Sequence, residues 1–344
     1  MNCTERQILT LGKEPARGAR SRKSVSVVIP AYHSERTLGP LVDRLTAVLR
    51  RHGEPFEIIL VNDGSPDGTW ERVEALAAEH SRVVGIDLTR NYGQHSALLC
   101  GVRAARYDVI VTIDDDLQHP PEEIPKLLAR LEDDVDVVYG TSHGGQHGLW
   151  RNLASGIIRL TLQSAMGAAT ARDASAFRAF RTELRGAFAK YESSFVSIDV
   201  LLTWGTTRFT STTVRHDPRR IGRSNYTFGK LLTHALNMLT GFSVLPLQVA
   251  SVMGFVLTGF GLLALAYVVG RYLIEGGSVP GFPFLASLIS IFSGAQMFAL
   301  GIIGEYLART HHATMMRPSF AIRRRTDPDS HEHNPDNSTL ARAV

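Results

Sequence analysis

Apolar residues recur along this chain with two periods, and between residue 25 and about residue 140 the two take turns. Short runs rich in Val and Ile, at 25–29, 56–61, 83–88, 109–113 and 136–139, are nearly continuous and read as strands. Between them lie stretches with helical spacing, such as Leu38, Leu41, Val42, Leu45, Val48 and Leu49, which form one apolar face of a helix. Strand and helix in regular alternation predict an α/β domain: a Rossmann-like, doubly wound and mostly parallel sheet.

The pattern changes after residue 227. Residues 228–244 carry Leu231, Leu232, Ala235, Leu236, Met238 and Leu239 with Lys230 and His234 among them, which predicts an amphipathic helix lying in a membrane interface. Then charge disappears: no Asp, Glu, Lys or Arg stands between Lys230 and Arg271, or between Glu275 and Glu305. Each gap holds enough apolar residues to cross about 30 Å of hydrocarbon, so 245–304 is expected to hold two transmembrane helices. Soluble helices of that length rarely lack a charged face. The flanking stretches, 1–23 and 305–344, read as a disordered tail and a C-terminal tail, and 24–227 as the catalytic domain.

Charge orients the hairpin. Arg215, Arg219, Arg220, Arg223 and Lys230 precede it and Arg309, Arg317, Arg323, Arg324 and Arg325 follow, against one Arg271 in the connection. Positive residues stay inside, so both termini and the catalytic domain are expected in the cytoplasm of a cell with this protein in its inner or plasma membrane. No apolar leader precedes the first strand, and Cys3 and Cys100 form no CxxC pair, which fits a reducing compartment. The net charge of +4 is concentrated beside the spans, which points to lipid headgroups and phosphates rather than nucleic acid. His143 and His147 have i, i+4 spacing, but the glycines between them argue for a loop over a zinc site.

The strand ends carry the chemistry. Three carboxylates, Asp114, Asp115 and Asp116, directly follow the fourth strand, where α/β sheets keep their ligands. Asp114 and Asp116 are spaced to share one hard cation that also holds a diphosphate, with a solvated acidic turn as the plainer alternative. Loops after the first and second strands bring Tyr32, Glu35 and Asp63 to neighbouring termini, an aromatic face with carboxylate acceptors suited to a base and its ribose. Gly64, Pro66 and Gly68 read as turn residues, and Glu35 could instead close a capping box.

The ordered motifs PAYHSE (30–35), VNDGS (61–65), LTRNYGQHSA (88–97), DDDLQHPPEE (114–123) and RRIGRSNYTF (219–228) resemble those of the inverting GT-A glycosyltransferases that make polyprenyl-phosphate sugars. The likeness is greatest to the bacterial undecaprenyl-phosphate transferases for 4-amino-4-deoxy-arabinose derivatives and for glucose, and weaker to dolichyl-phosphate mannose synthases. It runs from about residue 25 to 320 and takes in a trailing Arg-Pro-Ser-Phe at 317–320. The resemblance implies Mg²⁺ or Mn²⁺ at Asp114, Asp116 and Gln118, whose donors are all hard oxygens. It also implies nucleotide-sugar contacts at Pro30, Tyr32, Glu35, Asp63, Asp114 and Asp115, with Arg90 supporting the diphosphate or the fold beneath it. Arg219, Gly222 and Ser224 match a loop that closes over phosphates, which puts Ser224 among the nucleotide-sugar contacts; Arg219 and Arg220 are equivalent candidates there, and with Arg151 they are the candidates for the acceptor lipid phosphate. Asp116 and Arg219 become the catalytic pair. The expected donor is a UDP-sugar, the acceptor a polyprenyl phosphate, with self-association left open.

Three positions depart from the family pattern: Asn62 for Asp, His33 for Asn, and Asp115 for a small residue. The loop at 172–178 matches only loosely. A processive polysaccharide synthase is the rival activity, but its Q-x-x-R-W motif and extra spans are missing from the sequence; a scaffold that keeps the fold without catalysis is the rival from another class.

Overall fold

The computed structural model describes residues 23–141, 174–193, 196–217, 245–275, 281–315 and 317–326. The first 22 residues, the expected interfacial helix at 228–244, His143, His147 and everything beyond residue 326 lie outside the described residues.

All five expected strands form: β1 (Val25–Ala31), β2 (Phe56–Asn62), β3 (Val83–Leu88), β4 (Val109–Thr112) and β5 (Val137–Thr141). The helices α1 (Leu38–His52), α2 (Thr69–Glu79), α3 (Gln94–Ala104) and α4 (Ile124–Arg130) connect them, and α5 (Ile198–Gly205) follows. The six apolar positions that defined the stripe on α1 are all buried, and Gly53 ends that helix in the left-handed region at φ 86°. Period-two alternation sorts β1 onto both faces: Val25, Val27 and Ile29 pack beneath α1 and α2, whereas Val28 packs with Leu98 and Leu99 of α3 on the other side.

Three further strands were not anticipated: β6 (Arg178–Arg181), β7 (Phe209–Thr213) and β8 (Ile322–Arg325). The eight-stranded order is β7-β5-β6-β4-β1-β2-β3-β8, with β6 and β8 antiparallel to their neighbours and the other pairs parallel. The sheet is therefore mostly parallel, and its order reverses at β1, which lies between β4 and β2. Open α/β sheets bind ligands outside the carboxyl ends of the strands at such a reversal.

Two long helices follow, α6 (Leu245–Glu275) and α7 (Phe282–Thr314). Their apolar stretches Pro246–Ile274 and Ile291–His311 have mean hydropathies of 2.2 and 1.3, long and apolar enough to cross a membrane. Side chains such as Phe255 and Ile274 stand 80% and 85% exposed, an outer surface suited to lipid rather than water. The pair touch where Gly261 of α6 faces the Phe292 ring of α7: a Cβ at Gly261 would lie 2.9 Å from the ring. Small residues permit that approach between helices.

The stretch 305–344, expected as a tail, needs correction. Helix α7 continues to Thr314, supported by a Glu305–Arg309 pair at 2.7 Å one turn apart. Residues 322–325 then join the catalytic sheet as its outer strand beside β3. Three consecutive arginines look like a solvated basic flank in sequence; here Arg323 and Arg324 meet Asp87, and Arg324 also meets Glu74.

Candidate active site

The loops after β1, β2, β3 and β4 converge at the carboxyl edge of the sheet. Strand β4 ends at Thr112, and the acidic run turns sharply through Leu117, whose φ of 61° is in the left-handed region. A side chain there costs roughly 1–2 kcal/mol, which burial of Leu117 in the core offsets. The turn sends the three carboxylates in different directions. Asp114 Oδ1 accepts a 2.7 Å bond from Gln94 Nε2 at the start of α3. Asp115 Oδ2 accepts from Ser34 Oγ and, at 3.5 Å, from the Tyr32 amide. Asp116 Oδ1 accepts from the Gln118 amide at 3.1 Å.

Asp115 therefore ties the β4 loop to the β1 loop. Burial raises its pKa from the ordinary carboxylate value, opposed by the Ser34 hydroxyl. The extra charge at this departure from the family pattern is spent on a neighbouring loop rather than on the pair beside it. His33 has φ 58° and packs edge-on against Tyr32, ring centres 4.5 Å apart. Asn and His are both among the side chains that tolerate this conformation. Tyr32 is 42% exposed.

Asn62 and Asp63 end the second strand. Asn62 Nδ2 donates to Asp87 Oδ1 at 2.8 Å while its own Oδ1 accepts from the Ser65 amide at 3.3 Å. Aspartate at position 62 would face Asp87 with like charge inside the protein, so the amide is the consistent choice. Both oxygens of Asp63 are engaged, by the Tyr92 amide at 2.7 Å and the Gly93 amide at 2.8 Å. Burial pushes its pKa up to about 6, against the lowering effect of those two amides. Gly64 has a role beyond turning: at φ 60°, its missing Cβ would stand 2.4 Å from the Arg90 carbonyl carbon, so the two loops touch through it.

Glu35 lies against Gly68, where an added Cβ would come within 2.9 Å of its carboxyl carbon. It precedes the N-cap residue of α1, Thr37, whose cap has no side-chain hydrogen bond, so no capping box forms. Pro30 is buried within β1 opposite Val61. Arg90 is exposed, its guanidinium 4.5 Å from the centre of the Tyr92 ring.

Arg151, Arg219, Arg220, Gly222 and Ser224 lie outside the described residues, but the chain leading to four of them does not. The Asp217 amide donates to the Gln118 carbonyl at 2.8 Å, and the His216 ring meets that of His119 edge-on at 5.0 Å. The described chain thus reaches the acidic turn at Asp217, two residues before Arg219 in sequence. His119 has its pKa lowered to about 4, by burial first and by His216 next, so it is neutral in working conditions.

Sequence reasoning missed Gln94, Ser34, His216 and Asp87 as parts of this constellation. Gln94 and Ser34 stood within quoted motifs; Asp87, a lone carboxylate inside an apolar strand, was the signal left unread.

Asp114, Asp116 and Gln118 offer hard oxygen donors on one turn, and among the described residues no group of three or more His, Cys, Asp or Glu side chains gathers as a ready-made metal cage. Two carboxylates plus substrate oxygens are the usual holding for Mg²⁺ or Mn²⁺ beside a diphosphate, so the residues fit such an ion.

A reversed-order α/β sheet with an acidic turn at its switch point and two apolar helices behind it defines a membrane-associated enzyme of the GT-A type. Residues 26–185 match the family model "Glycosyl transferase family 2". The chain is 34% identical to the undecaprenyl-phosphate 4-deoxy-4-formamido-L-arabinose transferase of Pectobacterium atrosepticum, covering 88% of this chain and 93% of that one. It is 34% identical also to the transferase of the same description from Yersinia enterocolitica, over 91% and 96%. This chain belongs to glycosyl transferase family 2, among the polyprenyl-phosphate glycosyltransferases. Among solved structures, glucosyl-3-phosphoglycerate synthase of Mycobacterium tuberculosis aligns with TM-score 0.48 and 21% identity over 63% of this chain and 76% of that one.

Proposed function

We propose that this protein moves a sugar from a UDP-sugar to a polyprenyl phosphate at the cytoplasmic membrane face, inverting the anomeric centre and giving a polyprenyl-monophosphate sugar for cell-envelope glycan or glycolipid modification. The observation that carries the reading is the seat of Asp217 on the acidic turn, where its amide bonds the Gln118 carbonyl two residues before Arg219, beside loops that tie Asp63 to the Tyr92 and Gly93 amides and Asp114 to Gln94.

The acceptor phosphate is ionised at neutral pH, so its oxygen attacks without a strong general base. The residues must hold two phosphate groups in line and stabilise the departing nucleotide. Arg219, with a planar fork that grips phosphate oxygens in pairs, serves the leaving diphosphate, and Arg220 and Arg151 serve the lipid phosphate. Tyr32 and Asp63 take the base and ribose, with Glu35 and Pro30 alongside. Mg²⁺ or Mn²⁺, when bound at Asp114, Asp116 and Gln118, neutralises charge developing on the diphosphate. One displacement needs no covalent enzyme intermediate.

The test offers membranes holding the protein a panel of radiolabelled nucleotide sugars with undecaprenyl phosphate, and scores label in the organic phase. Label from one UDP-sugar, dependent on the lipid, is expected. Label found in water-insoluble polymer would favour a processive synthase, and none in either phase would favour a scaffold.

A further inference from the structure

The chain beyond α7 runs back along the catalytic domain as a continuous seam. Ser319, buried, exchanges bonds with the Ser193 backbone, donating Oγ to its carbonyl at 2.9 Å. Phe320 packs beside the α3 face of the sheet with Arg103 above its ring. The Ala321 carbonyl then accepts the Thr89 amide at 2.9 Å, and Arg323 donates to the Thr89 carbonyl. Finally, Thr326 Oγ1 accepts the Gly85 amide at 2.8 Å.

Two of these contacts lead to the nucleotide loops. Asp87 is 1% exposed, and its Oδ2 meets Arg324 at 3.3 Å and Arg323 at 3.6 Å, while its Oδ1 accepts from Asn62. Arg324 is fixed from other sides by Glu74 at 3.8 Å and by the Trp70 ring at 5.0 Å. The loop from Thr89 to Gly93, held at one end by this seam, presents at its other end the two amides that hold Asp63. A path of direct contacts thus joins the C-terminal strand to Asn62 and Asp63.

We propose that Arg317–Thr326 is a brace for the nucleotide loops, in which Arg323 and Arg324 are positioning residues that set donor affinity through Asp87, Asn62 and the Thr89–Gly93 loop. The proposal deepens the transferase reading and rests on it for the identity of the ligand. Neither arginine needs to touch nucleotide. A buried carboxylate deprived of its cations must move or draw in water, and either change disturbs the geometry it shares with Asn62. The arginines are half exposed, so their own surface charge adds little; the buried partner gives the contact its leverage.

The experiment uses the full chain in lipid nanodiscs and measures UDP binding by calorimetry, with donor and acceptor KM from label transfer. Replacing both residues, Arg323→Gln with Arg324→Gln, should weaken UDP binding and raise the donor KM at least about tenfold, leaving the undecaprenyl-phosphate KM within about twofold. Arg323→Lys with Arg324→Lys should restore most of the affinity, since lysine keeps the charge that Asp87 needs. Unchanged UDP affinity in the glutamine pair, or a loss that lysine does not repair, overturns the brace. Should the pair not fold, Arg324→Gln alone is followed by hydrogen exchange at the Thr89, Tyr92 and Gly93 amides: faster exchange supports the brace and unchanged exchange overturns it. Wild-type protein that binds no UDP would sink the UDP-transferase reading and the brace together, whereas wild-type binding with an unaffected glutamine pair sinks the brace alone.

Discussion

Asp114 and Asp116 leave the same turn in different directions, one toward α3 and one toward its own loop, and a shared cation would have to draw both inward. Activity is therefore expected to vanish with chelator and return with Mg²⁺ or Mn²⁺, and Asp116→Asn to lower turnover at least about 100-fold, roughly 3 kcal/mol of transition-state stabilisation. Full activity in chelator would end the metal assignment. Asp63 gives a pH signature. Its pKa rises from 3.8 to about 6 on folding, so its neutral form is favoured, and the associated stability is present below 3.8 and lost as pH rises through about 6. Donor binding has the opposite sign, because the ionised carboxylate is the better acceptor for the Tyr92 and Gly93 amides and for a ligand's donors. The donor KM should rise as pH falls through about 6, and Asp63→Asn should give a higher but flat KM across the same range; a wild-type profile without that inflection would remove Asp63 from the site.

At the scale of elements, the loops depend on one another. Gly64→Ala forces a Cβ into the Arg90 backbone and an L side chain into a left-handed turn, so a stability loss of about 1–3 kcal/mol is expected with a raised donor KM. Thermal unfolding and donor titration together check it, and a native donor KM would show that the two loops work independently. The same scale explains what could be read in advance. Strands β1 to β5 and the stripe on α1 were legible because burial on both faces leaves continuous apolar runs and a helical repeat. Strands β6 and β8 were not, because Arg178 and Arg324 are charged residues whose partners, Asp199 and Asp87, come from distant sequence. In the candidate site, residue types at strand ends singled out Tyr32, Asp63 and the acidic turn, whose loops the fold brings to one edge of the sheet. The tie between Asp115 and Ser34, and that between Gln94 and Asp114, depend on how the loops face one another, which spacing alone does not encode.

For the whole molecule, β8 sits in the same sheet as β3 although α6 and α7 separate them in sequence. A chain that enters the bilayer and returns to the domain it left must cross an even number of times. Reporters fused after Thr326 should read as cytoplasmic and one inserted near Gly277 as external; the reverse pattern would overturn the cytoplasmic placement. The returning strand also sets an order of events during synthesis. Thr89 and Arg323 are 234 residues apart, so β3 waits roughly 10–50 s at ordinary translation speed for its outer neighbour. Both long apolar helices are made within that interval. A nascent chain thus carries both apolar helices before its sheet can close, and a message cut short inside them leaves β3 as a bare edge, prone to pair with other chains and visible to proteases that clear unfinished proteins.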